Sequence, residues 1–162
     1  MNGRRISAVL CTLSMVWPLI IGEAQAQTGK IPRDQSDLDR LVRLLQEVGY
    51  RASPDTSGST PTVNSKFNGI NANIQLSNCE DGVTECRIML FHSGFDTTDG
   101  VEMDVINDWN ADKFFGRAYL DDESDPHIDL AASLVGVSDA NIKDIIERWD
   151  VVISEFSKAI DW

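Results

Sequence analysis

The segment 138–160, SDANIKDIIERWDVVISEFSKAI, carries the strongest periodic signal in this 162-residue sequence. Its apolar residues recur at i, i+3, i+4 and i+7, which places them on one stripe of an α-helix. Ser138 precedes the pattern and has a side chain suited to an N-cap. The stripe is wide enough to cover a β-sheet and still leave surface for a second subunit. Its members are Ile142, Ile145, Ile146, Trp149, Val152, Ile153, Phe156 and Ile160.

Five segments upstream of this helix have the patterns of β-strands. Residues 70–77, INANIQLS, alternate apolar and polar side chains, which predicts a strand with one buried and one wet face. Residues 63–67 predict a short strand before it. Residues 86–91 are nearly all apolar and predict a more central neighbour. Residues 114–120 and 127–134 predict two further strands, joined by an acidic turn.

The remaining segments predict two more helices and a loop. The first helix begins at Ser36 or Asp37, either of which can cap it, and ends at Gly49. Residues 52–61 are rich in Ser, Thr, Pro and Gly, which is typical of a loop, and residues 101–110 fit a second helix. The order is helix, three strands, helix, two strands, helix. Short connections between strands favour an antiparallel sheet packed by helices, an α+β domain.

The amino terminus has the pattern of a secretory signal peptide. Arg4 and Arg5 precede an apolar run at 6–21, and Ala24-Gln25-Ala26 supplies small residues for cleavage after Ala26. An uncleaved anchor is the alternative, but the run is shorter than the roughly 20 residues that span a bilayer. We therefore expect a periplasmic or secreted protein. The predicted organisation is a signal peptide at 1–26, a flexible leader at 27–35 and a single domain at 36–162.

The charge balance excludes several classes of partner. The chain has 14 Lys and Arg against 26 Asp and Glu, a formal net charge of −12 at pH 7. Removal of Arg4, Arg5 and Glu23 with the signal peptide changes it to −13. A net negative charge repels nucleic acid and anionic lipid, because binding to either depends on Lys and Arg side chains near the phosphates. We expect no nucleic-acid partner and no stable membrane insertion after cleavage.

Two cysteines remain once Cys11 leaves with the signal peptide. An even count in an exported chain indicates a disulfide, here between Cys79 and Cys86. A hairpin turn at Gly82 and Val83 would place these two cysteines directly opposite each other. The alternative is a redox or metal pair, but the chain has no Cys-x-x-Cys and only two histidines.

Residues 121–129 concentrate carboxylates, and hard cations such as calcium prefer oxygen ligands. The segment lacks the glycine and glutamate positions of an EF-hand loop, so we favour a solvated hairpin turn. We expect no cofactor. The weak candidates for metal ligands are Asp121, Asp122 and Asp125.

Neither histidine lies in a nucleophile motif. Ser93 follows His92, but no Gly-x-Ser-x-Gly elbow is present, and nucleophilic catalysis needs a base that a third group orients. We therefore expect a protein that is not an enzyme. The alternative is an enzyme, or a metal or small-molecule sensor, that uses the acidic turn with His127.

Four residues around the second helix are candidates for a binding site or interface. Trp, Tyr and Arg are the residue types that protein interfaces enrich. The structural alternative is that Trp109 fills the core and Asn110 caps the helix end. Arg117 would then pair with Asp121 or Asp122. The candidates are Trp109, Asn110, Arg117 and Tyr119.

Two of these stretches resemble a known family. VINDWN at 105–110 and FGRAYLDD at 115–122 resemble the signature of the YbjN-domain family, as do Gly94-Phe95 and the terminal helix. The family is described as sensory transduction regulators of bacteria, and its fold is similar to that of type III secretion chaperones, which are small, acidic and usually dimeric. The resemblance implies a chaperone-like fold and a homodimer. Those chaperones act in the cytosol, so the export signal argues against effector loading.

The sequence thus predicts an exported, non-enzymatic module that binds a protein or peptide. We expect a homodimer through a helix or a sheet edge, with a regulatory or chaperone-like role in the bacterial envelope. Two alternatives stay open. One is the sensor or enzyme at the acidic turn, and the other is a purely structural envelope protein.

Overall fold

The computed structural model describes residues 36–162, so the predicted signal peptide and leader lie outside the described residues. Within that range the chain forms three helices and one six-stranded sheet. None of these helices has the length and apolar character needed to span a bilayer. The elements are α1 (Asp37–Glu47), β1 (Ala52–Asp55), β2 (Thr62–Phe67), β3 (Ile70–Ser77), β4 (Ile88–Gly94), α2 (Met103–Asp112), β5 (Arg117–Leu120), β6 (Pro126–Ser133) and α3 (Asp139–Ala159).

The sheet is antiparallel throughout, with strand order β1-β2-β3-β4-β6-β5. Strand β6 returns beside β4, which leaves β5 at the edge. The helices pack on one face of the sheet. Every second residue of the central strands points to that face and is buried there. The predicted α+β class and antiparallel sheet are confirmed.

The stripe of α3 forms the centre of the core, as predicted. Trp149 is fully buried, with its ring 6.4 Å from that of Phe67 in an edge-on contact and 5.4 Å from that of Phe91. Ser138 accepts a hydrogen bond from the backbone N–H of Asn141, which confirms it as the N-cap. Seven of the eight predicted stripe residues are buried, and Ile145 is half-buried.

Helix α1 is fixed to the start of α3 by a buried arginine. Arg40 is 5% exposed, and it donates to the Asp139 carboxylate at 2.7 Å and to the Val137 carbonyl at 3.0 Å. Arg43 donates to the other Asp139 oxygen at 2.9 Å. Burial by itself would raise the pKa of Asp139, but the hydrogen bonds from Arg43 and Arg40 outweigh it and leave the pKa below its usual value.

The loop predicted at 52–61 is wrong for its first four residues. Ala52–Asp55 forms edge strand β1, in which Ala52 pairs with Ser65 and Asp55 with Thr62. Pro54 fits this position because an edge strand has one side free of ladder hydrogen bonds. The composition that predicted a loop is also the composition of a short, blunted edge strand.

Three other predicted elements have ends that are wrong by a few residues, among them β4, which ends at Gly94 rather than Phe91. Strand β4 begins at Ile88 rather than Cys86, because the chain before it belongs to the disulfide loop. Strand β5 begins at Arg117 rather than Phe114, because Gly116 has a φ of +84° that breaks extended backbone. Helix α2 begins and ends two residues later than predicted.

A disulfide joins Cys79 and Cys86. Its register continues that of the β3–β4 ladder, in which Ser77 pairs with Ile88. The backbone N–H of Cys86 donates to the Asp37 carboxylate at 2.7 Å, so the closed loop also holds the first turn of α1. The bond is consistent with an oxidising compartment.

The predicted two-residue turn at Gly82 and Val83 is wrong. Glu80 bridges to Thr84, so three residues form the tip of the loop. Positive φ at both Asp81 and Gly82 makes this longer tip possible.

Replacing Cys79 and Cys86 together by serine is expected to lower the free energy of unfolding by about 2–3 kcal/mol, because the short closed loop no longer restricts the unfolded chain. Urea unfolding with and without dithiothreitol measures it. The reductant should lower the wild-type midpoint to that of the variant and leave the variant unchanged. Equal wild-type midpoints in both conditions would contradict a stabilising disulfide.

Candidate functional site

The end of α2 is clasped to strand β5 by two adjacent side chains. The indole Nε1 of Trp109 donates to the Gly116 carbonyl at 2.8 Å. The Asn110 amide donates to the Ala118 carbonyl and accepts from the Ala118 N–H, both at 3.0 Å. Asn110 thereby takes the place of a neighbouring strand at the sheet edge. The helix-capping role suggested for it from the sequence is wrong. An edge residue paired in this way is closed to pairing with another chain.

Gly116 allows this clasp to form. Its φ of +84° is a conformation that side chains with a Cβ rarely adopt. A Cβ there would also lie 2.7 Å from Val152 Cγ1 and 2.9 Å from Ile128 Cδ1. The backbone therefore lies directly on the core, with its carbonyl presented to Trp109.

An apolar groove of about 420 Å³ lies between the end of α2, residues 113–116 and the outer side of α3. Trp109 and Val152 lie at its base. Phe114, Phe115 and Val151 are 100%, 50% and 56% exposed around it. Three large apolar side chains exposed around one concavity are unusual on the surface of a soluble domain, where such patches mark binding surfaces.

Charged side chains form the rim of the groove. Lys113 lies 2.9 Å from Glu155 and Arg148 lies 2.8 Å from Asp144, but all four side chains are well exposed, so these pairs add little stability. The Arg148 guanidinium also lies 4.6 Å from the centre of the Phe115 ring. Both rim cations are therefore already engaged. The rim carboxylates that make no ion pair within the described residues are Asp112 and Glu147.

A second cluster lies on the face of the sheet opposite the helices. Arg117 lies over the Tyr119 ring at 5.2 Å, Tyr119 stacks on His127 at 5.1 Å, and His127 stacks on His92 at 5.4 Å. The guanidinium and the three rings therefore lie side by side in one continuous stack that crosses β5, β6 and β4. The His127 ring also covers Gly94, where a Cβ would lie 2.7 Å from its Nδ1.

Asp129 connects the two ends of this stack. It is 7% exposed and accepts hydrogen bonds from His92 Nδ1 at 2.8 Å and from Arg117 Nη2 at 2.6 Å. The suggested pairing of Arg117 with Asp121 or Asp122 is therefore wrong. The β5–β6 ladder places Arg117 directly opposite Asp129, a register that was not worked out from the sequence.

The acidic turn uses its carboxylates to hold its own shape. Asp121 accepts backbone hydrogen bonds from Glu123 and Asp125, both at 2.9 Å, and lies 3.2 Å from His127 Nε2. The backbone hydrogen bond from Asp125 and then the contact with His127 lower the pKa of Asp121. Asp125 accepts from the N–H and hydroxyl of Thr97. Across residues 36–162, no group of three or more His, Cys, Asp or Glu side chains is placed to hold a metal ion.

The four candidate residues thus lie in two places. Trp109 and Asn110 form the clasp, and Trp109 borders the groove, whereas Arg117 and Tyr119 belong to the stack on the opposite face. The exposed groove residues Phe114, Phe115 and Val151 were not predicted from the sequence. The one signal for them is that Val151 is an apolar residue outside the apolar stripe of its helix.

The described chain is a domain in which three helices cover one side of an antiparallel sheet and a Trp-Asn pair closes its edge. It belongs to the YbjN family, whose model, described as "Putative bacterial sensory transduction regulator", matches residues 37–162. The resemblance noted from the sequence is confirmed. No curated protein and no solved structure matches the chain. The likeness to type III secretion chaperones stays a prediction.

Proposed function

We propose that this protein is a non-enzymatic module of the bacterial envelope that binds a partner protein through the groove beside Trp109. The observation that carries the proposal is the exposure of Phe114, Phe115 and Val151 around that groove. Covering an exposed phenylalanine contributes about 1.5–3 kcal/mol, so two of them supply a substantial part of a binding energy. The family description is compatible with a regulatory role for such an interaction.

The rim charges indicate the chemistry of the partner. Both rim cations already have carboxylate neighbours, whereas Asp112 and Glu147 have no cationic partner within the described residues. A partner that carries Lys or Arg beside an apolar stripe would complete both the apolar and the charged contacts. We therefore propose a basic amphipathic segment that lies in the groove as a helix.

A second copy of the chain fits this groove less well. An antiparallel contact of two α3 helices centred on Val151 would place Glu147 of one copy beside Glu155 of the other. Two chains of net charge −12 also repel each other at long range. The homodimer expected from the family resemblance stays a prediction, and sedimentation equilibrium would measure it.

The other two functions are less well supported. Asp121 and Asp125 are engaged in the hydrogen bonds of their own turn, which leaves them less available to a cation or substrate. A purely structural protein would have no reason to expose two adjacent phenylalanines. The predicted signal peptide and the disulfide support the envelope as the location.

Replacing Phe114 and Phe115 together by serine is expected to weaken partner binding at least about tenfold, because the apolar contact is lost while every charge is kept. The probe is a synthetic peptide with leucine and lysine at helical spacing. Binding is measured by fluorescence anisotropy of a label on the peptide. A peptide with glutamate in place of lysine should bind much more weakly to the wild type.

The matched control replaces Met103 and Val135 by serine, since both are exposed apolar residues that do not line the groove. It should bind the leucine–lysine peptide like the wild type. Equal binding by the phenylalanine variant and the wild type would show attraction by overall charge alone. That result would overturn the groove as the binding site.

A further inference from the structure

A second concavity lies on the open face of the sheet, where β1 begins. Its volume is about 490 Å³, within the range of small-molecule sites. Two cations, Arg51 and Lys66, border it, and none of the Asp and Glu residues in the described part of the chain lines it. In a chain with 26 acidic and 14 basic residues, a concavity lined by cations without carboxylates is an exception to the general charge of the surface.

The register of the sheet brings these two cations together. Ala52 pairs with Ser65 at the start of β1, and extending this register by one residue places Arg51 opposite Lys66, which pairs with Asn71. Like charges that face each other across neighbouring strands destabilise a sheet. Neither cation makes an ion pair within residues 36–162, so nothing in the described chain offsets the repulsion.

Neutral hydrogen-bonding groups complete the lining. Ser53 pairs with Asn64 across β1 and β2, and both side chains are exposed toward the concavity together with Asn71. A guanidinium, an ammonium, two amides and a hydroxyl therefore surround one space. Guanidinium and ammonium groups are the strongest donors to carboxylate and phosphate oxygens.

One acidic side chain lies near the border of the concavity, because burial and then the Asp150 charge raise the pKa of Tyr50, which lines it. Asp150 accepts a hydrogen bond from Asn68 at 2.9 Å, and Asp55 accepts hydrogen bonds from the backbone and hydroxyl of Ser57. Neither carboxylate lines the concavity. An incoming anion would therefore meet two cations that make no ion pair within residues 36–162, while the nearby Asp150 is held by Asn68.

We infer that this concavity binds a compact oxyanion with at least two negative charges, either a dicarboxylate or a small molecule that carries a phosphate. Two facing cations match two charges, and the surrounding amides and hydroxyl can donate to the remaining oxygens. The site is separate from the apolar groove, so the inference stands whether or not the groove binds a protein.

The test is a titration of the domain with succinate and, separately, with inorganic phosphate, followed by two-dimensional amide NMR. Ionic strength is held constant with sodium chloride. We expect saturable shifts at the amides of Arg51, Lys66 and Asn71. The variant R51Q/K66Q should bind at least tenfold more weakly. The control R87Q/K158Q removes two other cations that make no ion pair within the described residues, and it should bind like the wild type.

The two titrations distinguish the sources of the anion. Saturation by succinate alone indicates a dicarboxylate ligand, by phosphate alone a phosphate-bearing ligand, and by both a general oxyanion site. Without anion, K66Q should be as stable as the wild type or more stable, because one of the two facing charges is gone. Overturning results are shifts that rise without saturation for both anions, or an equal loss of binding in R51Q/K66Q and R87Q/K158Q.

Discussion

Replacing Trp149 by alanine is expected to lower the free energy of unfolding by about 3–5 kcal/mol, enough to unfold much of a small domain. The ring is fully buried between Phe67 and Phe91, so its removal leaves a cavity between α3 and the centre of the sheet. Urea unfolding followed by circular dichroism measures the loss.

Trp149→Phe is the matched control. The indole Nε1 is buried and has no hydrogen-bond partner among residues 36–162, so phenylalanine removes no hydrogen bond seen there. It keeps an aromatic ring against Phe67 and Phe91 and leaves a smaller cavity. We expect a cost below about 2 kcal/mol. Similar costs for the two variants would show that the core does not depend on the ring.

The sequence predicted the parts of the fold that depend on local periodicity. The stripe of α3 and the alternation of β3 were correct because each repeats over at least eight residues, and burial of one face follows directly from that repeat. The bounds of β3, Ile70–Ser77, were predicted without error. The pairing of Cys79 with Cys86 was also predicted correctly, although the turn between them is one residue longer than the one assumed.

Short and irregular elements could not be predicted in the same way. Strand β1 has only four residues, including Pro54, and its pairing with β2 is decided by the sheet and not by its own sequence. The start of β5 depends on the positive φ of Gly116. A glycine in a sequence can mark either a turn or a close approach of the backbone, so its φ cannot be read from the sequence.

The candidate sites depended on which strands become neighbours. His92 meets Asp129 and His127 only because β6 returns beside β4, a pairing between segments some 35 residues apart. Arg51 and Lys66 border the same concavity only because β1 pairs with β2. Sequence spacing identified Trp109 and Asn110 as notable, but the clasp shows that their conspicuous side chains serve the fold.

The clasp formed by Trp109 and Asn110 and the apolar groove depend on the same underlying residues. Trp109 lies at the base of the groove and bonds to the Gly116 carbonyl, while Gly116 rests on Val152, which lines the same groove. A change at Gly116 therefore acts on stability and on the groove together.

Replacing Gly116 by alanine is expected to lower the free energy of unfolding by about 2–4 kcal/mol. About 1 kcal/mol comes from the left-handed backbone. The rest comes from a Cβ forced to within 2.7 Å of Val152 and 2.9 Å of Ile128 in a packed core. Urea unfolding measures the cost, and we expect the leucine–lysine peptide to bind more weakly because the groove base moves.

Gly136→Ala separates the two causes, because Gly136 has a φ of +70° but the added Cβ would have no atom of the described residues within 4 Å. It should show only the backbone cost of about 1 kcal/mol. Adding Val152→Ala to Gly116→Ala should cost less than the sum of the two single changes, because the smaller side chain removes one overlap. Equal costs at Gly116 and Gly136, or strict additivity with Val152→Ala, would show that the close packing beneath the clasp is not what requires glycine there.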